Sequence, residues 1–353
     1  MKNMFSLMSG QVRDILERAM EKRAPNREEL IVLLELPSDS FAASLLRTVA
    51  DFLARQQFGN RALLLGQIGI ETAPCPGACK FCAFGQGQTV LEKTELPLEE
   101  ILVRARAFAA SGDLYALFLM TMHTFDLPRV LRVVQAVRME LPPQTQIVLN
   151  VGDVDVVQAR ELSKAGVNGA YHVCRLREGI DTALDPAARL RTLAAIREAG
   201  LDLYYCCEPI GPEHSAAELA DQLLVGIEFG CFQHAAMRRV YVPGAPLAAH
   251  GQISELRLAQ VVAVVTLASL ACARTRSIAV HEPNLLGLAS GANTVYAETG
   301  ANPRDTEHDT SHNRGLDMAE CRRMLFEAGF TQLLRGDASP VTLDFNYLCA
   351  SPP

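Results

Sequence analysis

An alternation of short apolar runs with helical patterns constrains the fold of this chain more than any other feature of its sequence. The apolar runs have the length of buried strands, and most of them precede a segment with helical spacing. Predicted strands occupy residues 62–70, 114–120, 146–150, 169–173, 202–207, 237–242, 277–281 and 294–297. Predicted helices cover residues 98–110, 127–140, 155–165, 186–199, 216–229, 254–273 and 317–328. Eight strands alternating with helices favour the α/β class and a (β/α)8 TIM-type barrel.

Local signals define how the rest of the chain is organised. Helical spacing before the first strand predicts an N-terminal helical extension over residues 1–60, where Asn26 and Glu29 have the spacing of a capping box. Within the barrel, Gly166, Gly200 and Gly230 each end a predicted helix just before a strand. We therefore predict three segments: the extension (1–60), the barrel (61–335) and a C-terminal tail (336–353).

Charge and hydrophobicity exclude several classes of protein. The net charge of −7 argues against a nucleic-acid binder, because phosphate contacts need basic patches. Residues 1–10 lack the apolar core and cleavage site of a signal peptide. The most apolar window, residues 258–273, is shorter than the roughly 18–20 residues that span a bilayer, which favours a buried helix. We expect a cytoplasmic protein that binds neither nucleic acid nor membrane.

Three of the ten cysteines, Cys75, Cys79 and Cys82, are crowded into one segment after the first predicted strand. Their C-x3-C-x2-C spacing lets three thiolates ligate three corners of an iron–sulfur cubane and leaves the fourth iron open. A structural zinc site needs a fourth protein ligand, and none lies within this loop. In barrels of this type, chemistry takes place at the carboxyl ends of the strands, where this loop begins.

The cysteine motif, with Phe81 as its aromatic residue, resembles the signature of the radical S-adenosylmethionine (SAM) superfamily. The form Cys-Pro-x-x-Cys-Lys-Phe-Cys is most similar to biotin synthase and its relatives, which include an [FeFe]-hydrogenase maturase and methylornithine synthase. Further segments resemble that group in the same order along the chain. They are residues 242–247, 289–296 and 300–305, within a region (about 240–335) similar to the biotin and thiamin synthesis-associated region.

This resemblance implies an enzyme with a [4Fe–4S] cluster on the three cysteines and SAM bound at its open iron. Reductive cleavage of SAM would give a 5′-deoxyadenosyl radical that abstracts hydrogen from a small-molecule substrate. It also implies an electron donor such as flavodoxin or ferredoxin. The oligomeric state stays open, with a homodimer as one candidate. By resemblance, Arg175 would pair with the methionine carboxylate of SAM, Glu178 with its ribose and Ile210 with its adenine.

The chain departs from biotin synthase where that enzyme holds a second cluster. The predicted strands 114–120 and 146–150 contain no cysteine, and Ala279 stands near the position of the ligating arginine. Other metal-ligating side chains end later strands, and they form a second candidate metal site: Cys174, Cys206, Cys207 and His281. The alternative is that these cysteines are core residues. Because neighbouring strand residues face opposite sides, only one of Cys206 and Cys207 is expected to point inward.

Polar residues after other strands are candidate substrate ligands by location. These are His123, Asn150, Asp153, Arg239 and Asn284, and residues 302–313 form a candidate lid. Three functions stay open. The preferred one is sulfur insertion of the biotin or lipoyl type, fed by a second cluster. The others are a single-cluster rearrangement or maturation reaction, and a non-catalytic protein that binds an Fe–S cluster or zinc.

Overall fold

The computed structural model describes residues 8–87, 89, 91–110, 112–270, 272–300, 302 and 315–350. Its strands are β1 (Arg61–Gly69), β2 (Glu71–Thr72), β3 (Thr94–Glu95), β4 (Ala116–Met120), β5 (Gln146–Asn150), β6 (Gly169–Tyr171), β7 (Asp202–Ile210), β8 (Gln233–Arg238), β9 (Ser277–His281), β10 (Thr294–Gly300), β11 (Gln332–Leu334) and β12 (Pro340–Thr342). Eight of them form one parallel sheet in the order β1, β4, β5, β6, β7, β8, β9, β10. The sheet closes because β10 pairs with β1 from Leu63↔Thr294 to Gly69↔Gly300. The predicted (β/α)8 TIM-type barrel is confirmed.

Helices surround the barrel and cover its amino-terminal side. They are α1 (Gly10–Met20), α2 (Arg27–Glu35), α3 (Phe41–Phe58), α4 (Leu98–Ala109), α5 (Leu127–Glu140), α6 (Val156–Lys164), α7 (Pro186–Glu198), α8 (Ala216–Glu228), α9 (Glu255–Ser269), α10 (Leu285–Leu288), α11 (Met318–Glu327) and α12 (Phe345–Ala350). A 3₁₀ turn spans Pro246–His250. The predicted capping box opens α2, where Asn26 accepts from the backbone N–H of Glu29 and Glu29 accepts from that of Asn26.

The N-terminal helices explain why α9 is apolar on nearly every side. A helix that is hydrophobic all round must be buried, and α9 lies between the barrel and the N-terminal extension. Its one strongly polar side chain in the middle, Gln260, is fully buried and donates to the carbonyls of Leu33 (2.8 Å) and Leu36 (2.9 Å). The predicted buried helix is confirmed, and no described helix is long and apolar enough to cross a membrane.

Two regions differ from the sequence-based expectation. The sixth barrel strand begins at Gln233 rather than at residue 237, because its polar first residues are buried with partners. Gln233 bonds the hydroxyl of Tyr296 (2.6 Å), and His234 bonds that of Ser269 (3.0 Å).

In the segment predicted as a tail, β12 pairs with β11, which itself pairs with β1. The predicted boundaries at residues 60 and 335 stay predictions.

Candidate active site

The loop that carries Cys75, Cys79 and Cys82 follows β2 at the carboxyl end of the barrel. Its two ends are tied together, because the N–H of Cys75 donates to the carbonyl of Phe84 (2.7 Å). Its outer edge forms main-chain hydrogen bonds with the segment between β6 and α7. There the N–H of Lys80 donates to the carbonyl of Asp181 (2.9 Å), and the carbonyl of Gly77 accepts from Ala183 (2.7 Å). These main-chain bonds hold the thiols at the mouth of the barrel.

All three thiols line the main cavity of the barrel, together with Phe81. Burial raises the pKa of Cys79 to about 11 and that of Cys82 to about 12, so a bound metal must displace protons. Two groups oppose that rise: the guanidinium of Arg175 favours the Cys79 thiolate, and the N–H of Phe84 donates to Cys82 Sγ (3.4 Å).

The donor set fits a cluster better than a single ion. Within the described part of the chain, no three His, Cys, Asp or Glu side chains converge closely enough to hold one metal ion. A cubane is larger than an ion, so its thiolate ligands stand further apart. Three thiols on one loop that line a single cavity suit a cubane bound at three of its corners.

The cavity below the loop encloses about 1230 Å³ of empty space, including the solvent-filled volume at its open mouth. It contains several predicted site residues besides the cluster loop: His123, Asn150, Arg175, Arg239 and His281. The predicted lid, residues 302–313, lies outside the described residues except for Asn302, which lines the cavity. Polar side chains from separate strands therefore meet in one space.

Arg175 is held in the cavity wall by two carboxylates. Its Nε lies 3.0 Å from Glu208 Oε1, and its backbone N–H donates to Glu178 Oε2 (2.9 Å). Burial alone lowers the pKa of Arg175, but Glu208 and Glu178 raise it above its ordinary value, so the guanidinium stays charged. Glu208 also accepts from the hydroxyl of Tyr171 (2.5 Å), and Glu178 from that of Thr182 (2.7 Å). Glu178 is buried and acts on Arg175 instead of lining the cavity.

Asp153 forms a second buried charge network beside that wall. It accepts from Arg189 Nη1 (2.9 Å) and from the hydroxyl of Thr192 (3.2 Å), and His172 Nε2 lies 3.3 Å away. Burial raises the pKa of Asp153, yet His172 and Arg189 lower it well below its usual range. Burial lowers the pKa of His172 to about 3, which keeps its ring neutral. His123, 3.9 Å from Asp153, lines the cavity, as does Arg189.

The remaining predicted ligands either do not line the cavity or are already bound to another side chain. Ile210 is 1% exposed in the core, and it is the preceding Pro209 that lines the cavity. Arg239 reaches the cavity but forms a two-point ion pair with Glu213, in which Nη2 lies 2.9 Å from Oε2. Asn284 accepts from the N–H of Gly287 (2.8 Å) and so caps α10 instead of lining the cavity.

The four side chains of the second candidate metal site do not converge on one ion. Cys206 points inward and interacts with Tyr171 and Glu208, while Cys207 follows on the opposite face of β7. Cys174 lies apart, half-buried, and is not among the residues that line the cavity. His281 stacks on Tyr296, with ring centroids 4.6 Å apart.

Sequence reasoning missed several cavity residues. Arg189 lies within helix α7, away from any strand end, and Tyr171 lies inside an apolar strand, where nothing local distinguishes a cavity residue from a core residue. Gln67 and Glu298 carried a usable signal, because each is a polar residue in or directly after an apolar run predicted as a strand. Their register confirms their proximity: Gln67 on β1 pairs with Glu298 on β10.

The Glu213–Arg239 ion pair predicts an acid-sensitive contribution to stability. Burial raises the pKa of Glu213, but its bonds with Arg239 outweigh that and bring it from 4.5 to about 2. A carboxyl group with a depressed pKa stabilises the fold fully above pH 4.5, and this contribution is lost as the pH falls towards 2. We expect Glu213→Gln to reduce the pH dependence of the free energy of unfolding across that window. Urea denaturation at a series of pH values measures it. Glu99→Gln, whose side chain is 78% exposed, is the control. An unaltered pH slope in Glu213→Gln would contradict the assignment.

Comparison with known proteins finds biotin synthases among the relatives of this chain. No protein-family model matches the chain. A biotin synthase of Anaplasma marginale (strain Florida) is 26% identical over 292 residues, covering 76% of this chain and 85% of the relative. A biotin synthase of Chromohalobacter salexigens is 29% identical over 296 residues, covering 76% of this chain and 75% of the relative.

Two solved structures share the fold. Methylornithine synthase superimposes with a TM-score of 0.72 at 18% identity, covering 90% of this chain and 96% of the other. The FeFe-hydrogenase maturase of Carboxydothermus hydrogenoformans gives a TM-score of 0.74 at 17% identity, covering 91% of this chain and 79% of the other. At these identities the structures support the fold alone.

Proposed function

Because the chain belongs to the biotin synthase-like group of the radical SAM superfamily, we propose that it removes hydrogen from a small-molecule substrate with a single [4Fe–4S] cluster. When bound, the cluster supplies an electron to SAM, and SAM supplies the group that abstracts the hydrogen atom. Cys75, Cys79 and Cys82 would hold the cluster. The observation that carries the proposal is that these three thiols share one cavity with a charged arginine.

Arg175 is the residue best suited to bind the carboxylate of SAM. It lines the cavity and interacts electrostatically with Cys79, so it lies beside the cluster loop. Glu208 and Glu178 hold the guanidinium in place, and an ordered, permanently charged arginine can bind a carboxylate through two parallel hydrogen bonds. Glu178 would thus support SAM through Arg175. Phe81 would supply apolar contact, and Ile210 would support adenine from the core side of Pro209.

His123 and Asn150 are the proposed substrate contacts, from two strands, β4 and β5, that lie between β1 and β6 in the barrel. Both line the cavity from the ends of β4 and β5. Asp153 and Arg239 would act through their partners, since each is bound in an ion pair. The buried network around Asp153 fixes Arg189, which keeps a second positive charge in the cavity wall. These side chains would orient a polar substrate and exclude bulk water.

Loading the protein with iron tests this proposal. After anaerobic reconstitution we expect about four iron atoms per chain, the content of one cubane. Adding dithionite and SAM should then release 5′-deoxyadenosine and methionine, and protein carried through the same steps without iron is the control. A loaded protein that releases no 5′-deoxyadenosine would instead support a non-catalytic Fe–S protein. Binding of zinc with no uptake of iron would support a zinc protein.

Sulfur insertion is a second candidate, favoured by the two biotin synthase relatives. It needs a second cluster as sulfur donor, and Cys206 is a thiol that interacts with Tyr171 and Glu208, two residues that line the cavity. In that case reconstitution would give clearly more iron than one cubane holds, and Cys174→Ala or Cys206→Ala would lower the iron content. Unchanged iron in both variants supports the single-cluster reaction. In either case, a small one-electron donor such as flavodoxin or ferredoxin would supply the electron.

A further inference from the structure

The carboxyl end of β8 carries two consecutive arginines, Arg238 and Arg239, and both line the cavity. We propose that Arg238 binds an oxyanion of the substrate, a carboxylate or a phosphate, while Arg175 binds the carboxylate of SAM. The inference rests on the proposed function, because it assigns the charge of the substrate that enters the same cavity.

Arg239 has its donors occupied by the protein. It forms the two-point ion pair with Glu213, and its Nη2 also donates to the carbonyl of Gly251 (3.0 Å). Its guanidinium packs against Gly211 so closely that an added Cβ there would lie 2.6 Å from either Nη atom. The location of Arg239 after a strand favoured it as a substrate ligand, but the structure encloses it among protein groups.

Arg238 keeps donors available on the cavity side. Its Nε bonds Glu282 Oε2 (2.6 Å), and its Nη1 donates to the carbonyl of Ile253 (3.1 Å). Its Nη2 lies 3.8 Å from Oε1 of Glu255, beyond hydrogen-bond distance, and the Glu255 side chain is 48% exposed. A guanidinium has five N–H donors. The described residues thus hold Arg238 by one edge and leave donors of both Nη atoms for a ligand.

Glu282 fixes the orientation of Arg238. It directly follows β9 and has a backbone φ of +51°, a left-handed conformation that is uncommon for a residue with a side chain. Such a conformation persists where its surroundings hold it, and here Asn284 Nδ2 donates to the carbonyl of Glu282 (2.8 Å). Asn284, predicted as a substrate ligand, would therefore act through Glu282. A guanidinium fixed in this way can bind a carboxylate or a phosphate through two parallel hydrogen bonds.

The charges around the cavity favour an anionic ligand. Among the described residues, the arginines that line the cavity outnumber the carboxylates by four to two: they are Arg175, Arg189, Arg238 and Arg239 against Glu208 and Glu298. The carboxylates paired with three of these arginines are not among the lining residues; they are Asp153, Glu213 and Glu282. The single carboxylate of SAM matches only one arginine, so the cavity retains positive charge for a second anion.

Three probes with one alkyl chain test the assignment: hexanoate, hexyl phosphate and hexanamide. Each is titrated by anaerobic calorimetry into the cluster-loaded protein, with and without saturating SAM and with no reductant. We expect both anions to bind more tightly than hexanamide, and SAM to leave their binding in place. The tighter of the two anions then distinguishes a carboxylate from a phosphate substrate.

Three variants locate the binding. Arg238→Gln should weaken binding of the anions about tenfold or more. Arg238→Lys keeps the charge without the planar fork and should weaken binding less. The matched control is Arg191→Gln, which removes the same charge from a side chain of α7 that is 71% exposed and does not line the cavity. It should bind the anions as the wild type does. Thermal unfolding checks that each variant is folded.

Several results would overturn the subsite. These are hexanamide binding as tightly as the anions, wild-type affinity in Arg238→Gln, an equal loss in Arg191→Gln, or no binding of either anion. Displacement of the anions by SAM would place them at Arg175 and would also refute the assignment. SAM cleavage is measured separately. A protein that binds the anions through Arg238 but cleaves no SAM would refute the proposed function and keep the subsite.

Discussion

We expect the Cys79→Ser protein to assemble no cubane and to lose reductive SAM cleavage by more than about 100-fold. Removing even a hydrogen-bonding partner of a metal ligand typically costs about 10- to 100-fold, so removing the ligand itself should cost more. A serine hydroxyl is a poor substitute, because iron–sulfur clusters are bound through deprotonated thiols. Cys79 is the informative position, since its thiol interacts with both Cys75 and Arg175.

Iron and sulfide content, with the electron paramagnetic resonance spectrum of the reduced protein, measure the loss. Cys349→Ser is the matched control, because Cys349 is exposed in α12, far along the chain from the cluster loop. A Cys79→Ser protein with wild-type iron content and spectrum would refute the assignment of this loop. If Cys349→Ser lost iron and the spectrum as Cys79→Ser does, the loss would point to general damage during reconstitution.

The second large effect concerns stability at the opposite end of the barrel. Arg322 on α11 and Asp113, which precedes β4, are 2% and 0% exposed, and they form a two-point ion pair with Nη2 3.2 Å from Oδ1. The hydroxyl of Tyr347 also donates to Asp113 (3.1 Å). Replacing Arg322 by methionine leaves a buried carboxylate without its cation, which costs about 3–5 kcal/mol. We expect that loss in the free energy of unfolding, measured by chemical denaturation.

The double variant Arg322→Met/Asp113→Leu separates loss of charge pairing from loss of packing. Since replacing both members of a buried ion pair by apolar residues is often neutral, most of the lost stability should return. A double variant as unstable as Arg322→Met alone would show that shape, not charge, is what this site requires. A loss below about 1 kcal/mol in the single variant is what a solvent-exposed pair would give, and it would contradict a buried ion pair at this site.

The sequence predicted the fold because its signals are local and repeated. The strand–helix alternation, the capping box at Asn26 and the cysteine spacing each depend on neighbouring residues only. The sixth strand was misplaced because Gln233 and His234 are polar, and nothing local shows that Tyr296 and Ser269 satisfy them. Burial depends on tertiary partners, which a single sequence does not display.

The residues of the candidate site could likewise be predicted where their signals are local and not where they depend on tertiary contacts. The cysteine loop could be identified because all its ligands lie in one segment, whereas Arg175 was assigned only through the resemblance to the radical SAM relatives. Glu178, four positions after Cys174, was expected to face a ligand, yet its carboxylate turns towards the backbone of Arg175 and the hydroxyl of Thr182. Arg189 reaches the cavity from the body of a helix, and only the packing of α7 against the barrel brings it there.

The attachment of the cysteine loop has a consequence for biosynthesis. Residues 77 and 80 are bonded to residues 181 and 183, and the carbonyl of Lys80 accepts from the N–H of Leu247. The last of these partners, Leu247, lies 165 residues after Cys82 (247 − 82), so the full set of bonds can form only after that length of chain has been synthesised. We therefore expect the loop to bind its proposed cluster stably only once the barrel is complete.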